Sequence, residues 1–556
     1  MRLRYSAVIV ALTALLLVFQ CTRVALADPQ APKPPASNKP PVRVTISKET
    51  TWITEPLRED GYPDYVRYLN QKLNEGITPE NNAMVPLART MGLLDVDDEI
   101  RSEYFRLLGI QPPPKNGDYF ETWWSYTSRT PEAEQPRVPP GDKRLQKDYF
   151  LELIEEAASR PWTAKEFPHV AKWLKKNERF LDAFVTASKS PSAYSPWIVA
   201  PDEDFEHLVL LAALLLDVDA IRDATQVLRC RAMLRATGND IRGAQTDLLA
   251  AQRLAVLLAS ASHLVHFLAA KDIECKTRLA AIQLCAQSSL SRKQIDDLCA
   301  RWPTFPAIAT LAKAIDIGER MQFLDATCYI AKDGWGALRD IVGFIADMSG
   351  DGEPKPRDKS DFRVEFGGAV LSWLVRWDDA LKLGNKWYDR LVQIVQMEDP
   401  DQQAAAVEQF DKDLETLAGE SKKVPTPTGF YFYPRSIPTR LTSRILVVAM
   451  LSAASAPIQS ARYLDDYRSL FDVSMVVHQY RADHNEYPDS LQKLVPQYTE
   501  RLPNDVRHRT LVYRKTNAGF VLYSLGKNGR DDGGAGWSEQ NKEADDVAIH
   551  VPAVTQ

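Results

Sequence analysis

Two histidines one helical turn apart, His263 and His266, are the nearest thing in this chain to a local metal or acid–base pair, with Asp272 and Glu274 just beyond them. Two ring nitrogens on one helix face beside a carboxylate can share a metal ion. The residues around them are leucine, alanine and phenylalanine, so the expected role is structural, on a buried helix. Carboxylates are adjacent in Asp202-Glu203-Asp204, Asp296-Asp297 and Asp378-Asp379. Neighbours in sequence point apart on a helix, so a catalytic dyad would have to be assembled by tertiary contact. No His-Glu-x-x-His, Gly-x-Ser-x-Gly or glycine-rich phosphate loop occurs. The motifs therefore give no support to an enzyme. A different kind of chemistry is concentrated near the C-terminus, where an acidic, glycine-rich loop follows Leu525 and carries Asp531, Asp532, Asp545 and Asp546.

Cysteine usage and charge narrow the classes further. Six cysteines stand at 21, 230, 275, 285, 299 and 328, with no Cys-x-x-Cys pair. Cys275 and Cys285 on one helix would lie about 15 Å apart along its axis, too far for a disulfide. Buried, small apolar residues in a helical core are the expected role. A formal net charge of −6, with no clustered Lys/Arg run, argues against a general nucleic-acid binder. Arg2 and Arg4, the apolar stretch Ala7 to Phe19 and the small-x-small Ala25-Leu26-Ala27 read as a secretory signal. That stretch is short beside the roughly 20 residues of a membrane span, so membrane contact is expected only if the signal stays uncleaved. Gln20 is a poor fit to the small residue that precedes a lipidated cysteine, so Cys21 is not read as an anchor. The expected location is the periplasm or cell envelope.

The elements that must position these residues are mostly helices. Residues 1–27 are read as the signal peptide, 28–50 as a proline-rich tether, 51–349 as a helical body and 350–360 as a linker. A helical extension follows at 361–420, a second linker at 421–438, and a long helix with a terminal head at 439–556. Within the body, 111–142 is broken by prolines and carries Tyr119, Phe120, Trp123, Trp124 and Tyr126, rings expected to clip a long loop onto the body. Ala224 to Leu258 reads as two amphipathic helices separated by Thr237-Gly238-Asn239-Asp240. This hairpin resembles a tetratricopeptide unit, without a second copy at the period of about 34 residues. Trp373, Trp377 and Trp387 are expected in the core or between helices. Leu441 to His484 reads as one long helix, kinked at Pro457, whose apolar part needs cover from other helices or from lipid. Strands are expected at Leu511 to Arg514, Phe520 to Tyr523 and Asp546 to Val551.

The order of long helix, YRADHNEYPDSLQKLVP, hairpin, FVLYSLGKNGRDDGG and closing ADDVAI resembles the C-terminal part of type II secretion major pseudopilins, over about Tyr463 to Val551. The most specific string is Leu522-Tyr523-Ser524-Leu525-Gly526. In that family the loop after this string binds a structural calcium ion, which takes six to eight oxygen ligands. Carried over by position, the resemblance implies the carbonyls of Leu522 and Leu525, the side chain of Asn528, and carboxylates from Asp531 or Asp532 and from Asp545 or Asp546. Asn528 stands where the family usually has aspartate. An EF-hand reading of the same loop fails because Arg530 occupies a ligand position. The N-terminus lacks the prepilin glycine and glutamate, so polymerisation into a pseudopilus is not expected.

The expected fold is thus mainly α, an irregular helical-hairpin or tetratricopeptide-like body with a small C-terminal α+β pseudopilin-like domain. The expected function is an exported, non-enzymatic scaffold that binds a protein or peptide partner. An accessory docking on a secretion or pilus-like machine through an exposed edge at Asp545 to Val551, and a secreted hydrolase with a site built from scattered residues, are the alternatives.

Overall fold

The computed structural model describes residues 42–131, 134–138, 145–199, 210–334, 337, 373–421, 434–451, 455–536, 541 and 543–552. The signal segment, the tether up to 41, the linker 350–360 and Asp202, Glu203 and Asp204 lie outside the described residues. The chain is mainly helical, with a small antiparallel sheet near its C-terminus. In chain order the first elements are α1 (Tyr65–Leu73), α2 (Met84–Met91), α3 (Asp98–Leu107), α4 (Trp123–Arg129), α5 (Gln146–Ser159), α6 (Pro168–Ala187) and the short pair β1 (Ile198–Val199) and β2 (Ala213–Leu214). Then come α7 (Leu216–Thr237), α8 (Ile241–Ala259), α9 (Leu264–Gln287), α10 (Arg292–Ala300), α11 (Ala307–Lys313) and α12 (Arg320–Asp333). After the next described residue, 373, come α13 (Trp377–Val395), α14 (Pro400–Ser421), α15 (Ser436–Leu451) and α16 (Ala456–His484). The strands β3 (Val512–Lys515), β4 (Phe520–Ser524) and β5 (Val547–Val551) close the chain.

Two compact units result, both discontinuous in sequence. The first takes residues up to Leu73, Trp197–Leu214 and Ala312–Ile458; the second takes Asn74–Pro196, Leu215–Leu311 and everything from Gln459. The cut at Ile458 falls inside the stretch 439–556 that reads as one module in the sequence.

In the second unit the hairpin of α7 and α8 is the hub. Asn239, with φ of 61°, takes the left-handed turn position, while Gly238 keeps a negative φ. Asp240 then caps α8 by accepting the Gly243 N–H at 3.0 Å. The two helices are stapled by Asp247, fully buried, which accepts from Arg231 Nε at 2.9 Å and Nη2 at 2.7 Å and from Arg235 Nη1 at 2.8 Å. Buried charge is tolerated here because every oxygen is paired. The loop around 120 is clipped down by part of its ring cluster: Phe120 and Trp123 are buried, edge-on to Trp173 at 6.0 and 5.5 Å, while Trp124 is 57% exposed. Trp123 and its neighbours also form a helix, α4, where the prolines suggested only loop.

A second buried charge cluster ties α9 to α16. Glu274 accepts Arg278 Nε at 2.9 Å and both Arg468 Nε and Nη2, at 2.7 and 2.9 Å. The Arg278 guanidinium lies 4.5 Å from the Phe471 ring centroid. On the foundation of α16 stands the sheet, in the order β3-β4-β5, with Leu522 in register with Tyr513 on one side and Ile549 on the other. β5 is an edge strand, paired only with β4 among the described strands; Val547, Ile549 and Val551 are buried, and Gln283 of α9 donates Nε2 to the His550 carbonyl at 3.0 Å.

The first unit is built around α12 and α13. Gly384 lets them approach, since a Cβ there would lie 1.9 Å from the Phe323 ring. Arg320, buried, donates to Asp316 at 2.6 Å and Asp389 at 2.8 Å. Asp325 is buried between Arg58 at 3.3 Å and the Leu210 N–H at 2.7 Å, and burial pushes its carboxyl up to about 6. Trp377 is core and Trp387 packs on Phe410, but Trp373 is 65% exposed. It lies ahead of α13 with the Arg435 guanidinium over its ring, outside the helix interfaces. The long helix is two described helices, α15 and α16, with Pro457 in the first turn of α16, where its missing N–H costs nothing. Together they form a run long and apolar enough to cross a membrane, but 67% of its most apolar window is buried inside the protein. Cover comes from helices such as α13 and α14 against α15.

Candidate metal centre

The chain leaves β4 at Ser524 and turns sharply at Gly526, whose φ is +55°. A Cβ on Gly526 would lie 2.1 Å from Asp545 Oδ1 and 2.2 Å from the Asp545 carbonyl oxygen, so only glycine fits this close approach. The loop is strapped from outside by two arginines. Arg509 donates Nε to Asp505 at 2.7 Å and Nη2 to the Gly526 carbonyl, and Arg514 donates Nη2 to the Gly533 carbonyl.

Within this frame three carboxylates converge: Asp532, Asp545 and Asp546 offer ligand oxygens that all lie within 4.8 Å of one another, and the group could hold a metal ion. Backbone N–H groups orient each of them. Asp545 Oδ2 accepts from Lys527 N at 2.9 Å and Asn528 N at 3.0 Å, and Asp546 Oδ2 from Asp532 N at 3.0 Å and Gly534 N at 2.9 Å. Asp532 Oδ2 takes Asn528 Nδ2 at 3.0 Å and Asp545 N at 3.2 Å. The second oxygens of Asp545 and Asp546, both Oδ1, are buried and have no hydrogen-bond partner among the described residues. A buried carboxylate oxygen without a donor is expensive, and a hard cation satisfies it. Burial raises the pKa of Asp546, with Asp532 and Asp531 adding repulsion against the opposing N–H of Gly534.

The other positions implied by the family pattern fall around this triad rather than in it. Asp531 turns away: its Oδ1 accepts the Tyr523 hydroxyl at 2.7 Å and the Gly533 N–H at 2.9 Å. The Tyr523 hydroxyl bond, and then that N–H, hold the Asp531 carboxyl below the usual range. Asn528 spends its Oδ1 on the Arg530 N–H at 2.7 Å and directs Nδ2 to Asp532 and to the Glu543 carbonyl. The Leu525 carbonyl accepts the Gly529 N–H at 3.2 Å, and Leu522 is buried inside β4. Arg509 and Arg514, which fix the loop, carried no signal in the sequence, because they act across 17 and 19 residues.

The histidine pair is structural in its geometry. His266 Nε2 lies 2.8 Å from Asp217 Oδ2, both residues being buried, and His263 Nδ1 accepts the Val265 N–H as the cap of α9. Burial would raise the Asp217 carboxyl, yet His266 outweighs it and holds the pKa below the usual value. Asp272 pairs with Lys276 and Glu274 with two arginines, so neither joins the histidines. All five described cysteines are free, with burial pushing the Cys275 and Cys299 thiols up to about 12. Comparison of the chain with protein-family models, with curated proteins and with solved structures finds no match.

Proposed function

We propose that this is an exported, non-enzymatic scaffold of the cell envelope whose pseudopilin-like C-terminal head is held together by a calcium ion. The observation that carries the reading is the pair of buried, partnerless oxygens on Asp545 and Asp546 beside Asp532. The donor set is all oxygen, without histidine or thiolate, which suits calcium better than zinc or copper. Asp532, Asp545 and Asp546 would hold the ion. Its role is structural: it fastens the exit of β4 to the entry of β5, where like charges otherwise repel. The irregular, tetratricopeptide-like helical hairpins of the body supply the surface for a protein or peptide partner. The accessory reading called for an exposed edge at 545–551, and Gln283 lies against that strand.

Calorimetric titration of the full chain with calcium tests the head. One ion per chain should bind, and Asp545→Asn, which keeps an acceptor for the Lys527 and Asn528 N–H groups, should abolish the heat. Equal binding by the variant would remove the site from Asp545.

A further inference from the structure

The second unit also contains a cleft of about 450 Å³ between the chain following α2, the loop ahead of α4, and the first turns of α7. One wall is apolar and fixed. Gly92 and Leu93 both have left-handed φ, 73° and 50°, and turn the chain out of α2 so that Leu93 and Leu94 line the opening, Leu94 being 47% exposed. The Tyr119 ring is held between Gly92 and Gly117, where a Cβ would come within 2.5 and 2.6 Å of a ring carbon, and its hydroxyl donates to the Pro114 carbonyl.

The opposite wall is acidic, and its charges are unevenly answered. The two bases in the lining, Arg129 and Lys176, both serve Glu121, at 3.4 and 2.7 Å, and Asp118 pairs with Arg179. Asp223 is half-buried in the cleft and makes no hydrogen bond or ion pair among the described residues. Asp219, one turn earlier on α7 and 84% exposed, pairs among the described residues only with Arg222, at 3.9 Å. Burial pushes the Asp223 carboxyl up to about 7, with Asp219 adding to the effect. A concave site with an apolar wall, a fixed ring and one unanswered carboxylate has the form of a ligand pocket. An anion would find both bases already neutralised. A bare metal ion would lack a third carboxylate at ligand distance, which among the described residues occurs only at Asp532, Asp545 and Asp546.

We propose that this cleft binds an ammonium or guanidinium group on an apolar stem, the lysine or arginine side chain of a peptide, with the cation on Asp223 and Asp219 and the stem along Tyr119, Leu93 and Leu94. This takes up the binding half of the function proposed above and rests on it only in assigning the cation to a partner's side chain; the calcium reading can fail without it. The test uses the calcium-saturated full chain, titrated with a blocked Gly-Lys-Gly peptide, its arginine and norleucine counterparts, and 1,5-diaminopentane. The lysine and arginine peptides should bind at least about tenfold more tightly than the norleucine peptide. Asp223→Asn should remove that difference without lowering the melting temperature, since among the described residues Asp223 makes no hydrogen bond or ion pair for the fold to lose. The head variant Asp545→Asn should bind the lysine peptide as the natural chain does. Diamine binding as tight as the peptides assigns the site to free amines; tighter peptide binding assigns it to a protein partner. Equal affinity for lysine and norleucine peptides, or an unchanged lysine affinity in Asp223→Asn, overturns the proposal.

Discussion

Single side chains decide the chemistry of the head, and His478 shows how. It is buried on α16 against Tyr487 and Phe520, with no partner for either ring nitrogen among the described residues. Burial, followed by the nearby Arg481 charge, depresses its pKa to about 3. A folded pKa below the ordinary value of about 6.5 means the stability it contributes is fully present above that pH and lost as pH falls toward 3. The fold should therefore lose stability on the order of 5 kcal/mol across this acid window. His478→Phe keeps the ring contacts and sacrifices no hydrogen bond. Urea melts from pH 7 to pH 4 should show that variant flatter than the natural chain, and an equal slope in both would assign the acid sensitivity elsewhere. The same scale shows what residue types could not reveal. Asp531 and Asp532 are indistinguishable as letters, yet a tyrosine eight positions earlier takes one and leaves the other in the triad. Asn528 sits in the right segment, but the turn it makes with Arg530 uses the oxygen that the family pattern would give to the ion.

At the scale of elements, the turn at Gly526 is the most constrained position in the head. Gly526→Ala adds a left-handed strain of about 1–2 kcal/mol and an overlap with Asp545 costing roughly 1–3 kcal/mol more. It should lower the thermal midpoint and weaken calcium binding together, whereas a fall in stability with unchanged calcium affinity would separate the turn from the site. Elements with a strong local signal were legible in the sequence. The α7–α8 hairpin announces itself by its polar turn, and β3, β4 and β5 fall within a residue or two of the expected runs. What was not legible depends on distant partners. Helix α4 forms among prolines because Trp123 and Phe120 find Trp173, about fifty residues away. The kink expected at Pro457 falls in the first turn of α16, and residues 452–454, between α15 and α16, lie outside the described residues.

At the scale of the molecule, both compact units are assembled from separated stretches, so sequence order misstates what folds together. The head depends on α9 through the Glu274–Arg468 pair, the Arg278–Phe471 stacking and the Gln283 bond to β5. A fragment of residues 436–556 leaves Arg468 and Phe471 without these partners. It should melt without the cooperativity of the full chain and show weak near-UV circular dichroism, and a sharp, native-like transition in that fragment would show that the head is autonomous.

Thermal unfolding of the full chain in excess calcium and again in a chelator, for the natural sequence and for Asp545→Asn, bears most directly on the calcium-held head. Calcium at 100 times its dissociation constant adds about 2.7 kcal/mol to the unit that binds it, enough to raise that unit's midpoint by roughly 4 °C. The natural chain should show this rise and Asp545→Asn should not. A midpoint indifferent to calcium in the natural chain, or a rise that survives in Asp545→Asn, would contradict a structural calcium ion on the Asp532, Asp545 and Asp546 triad.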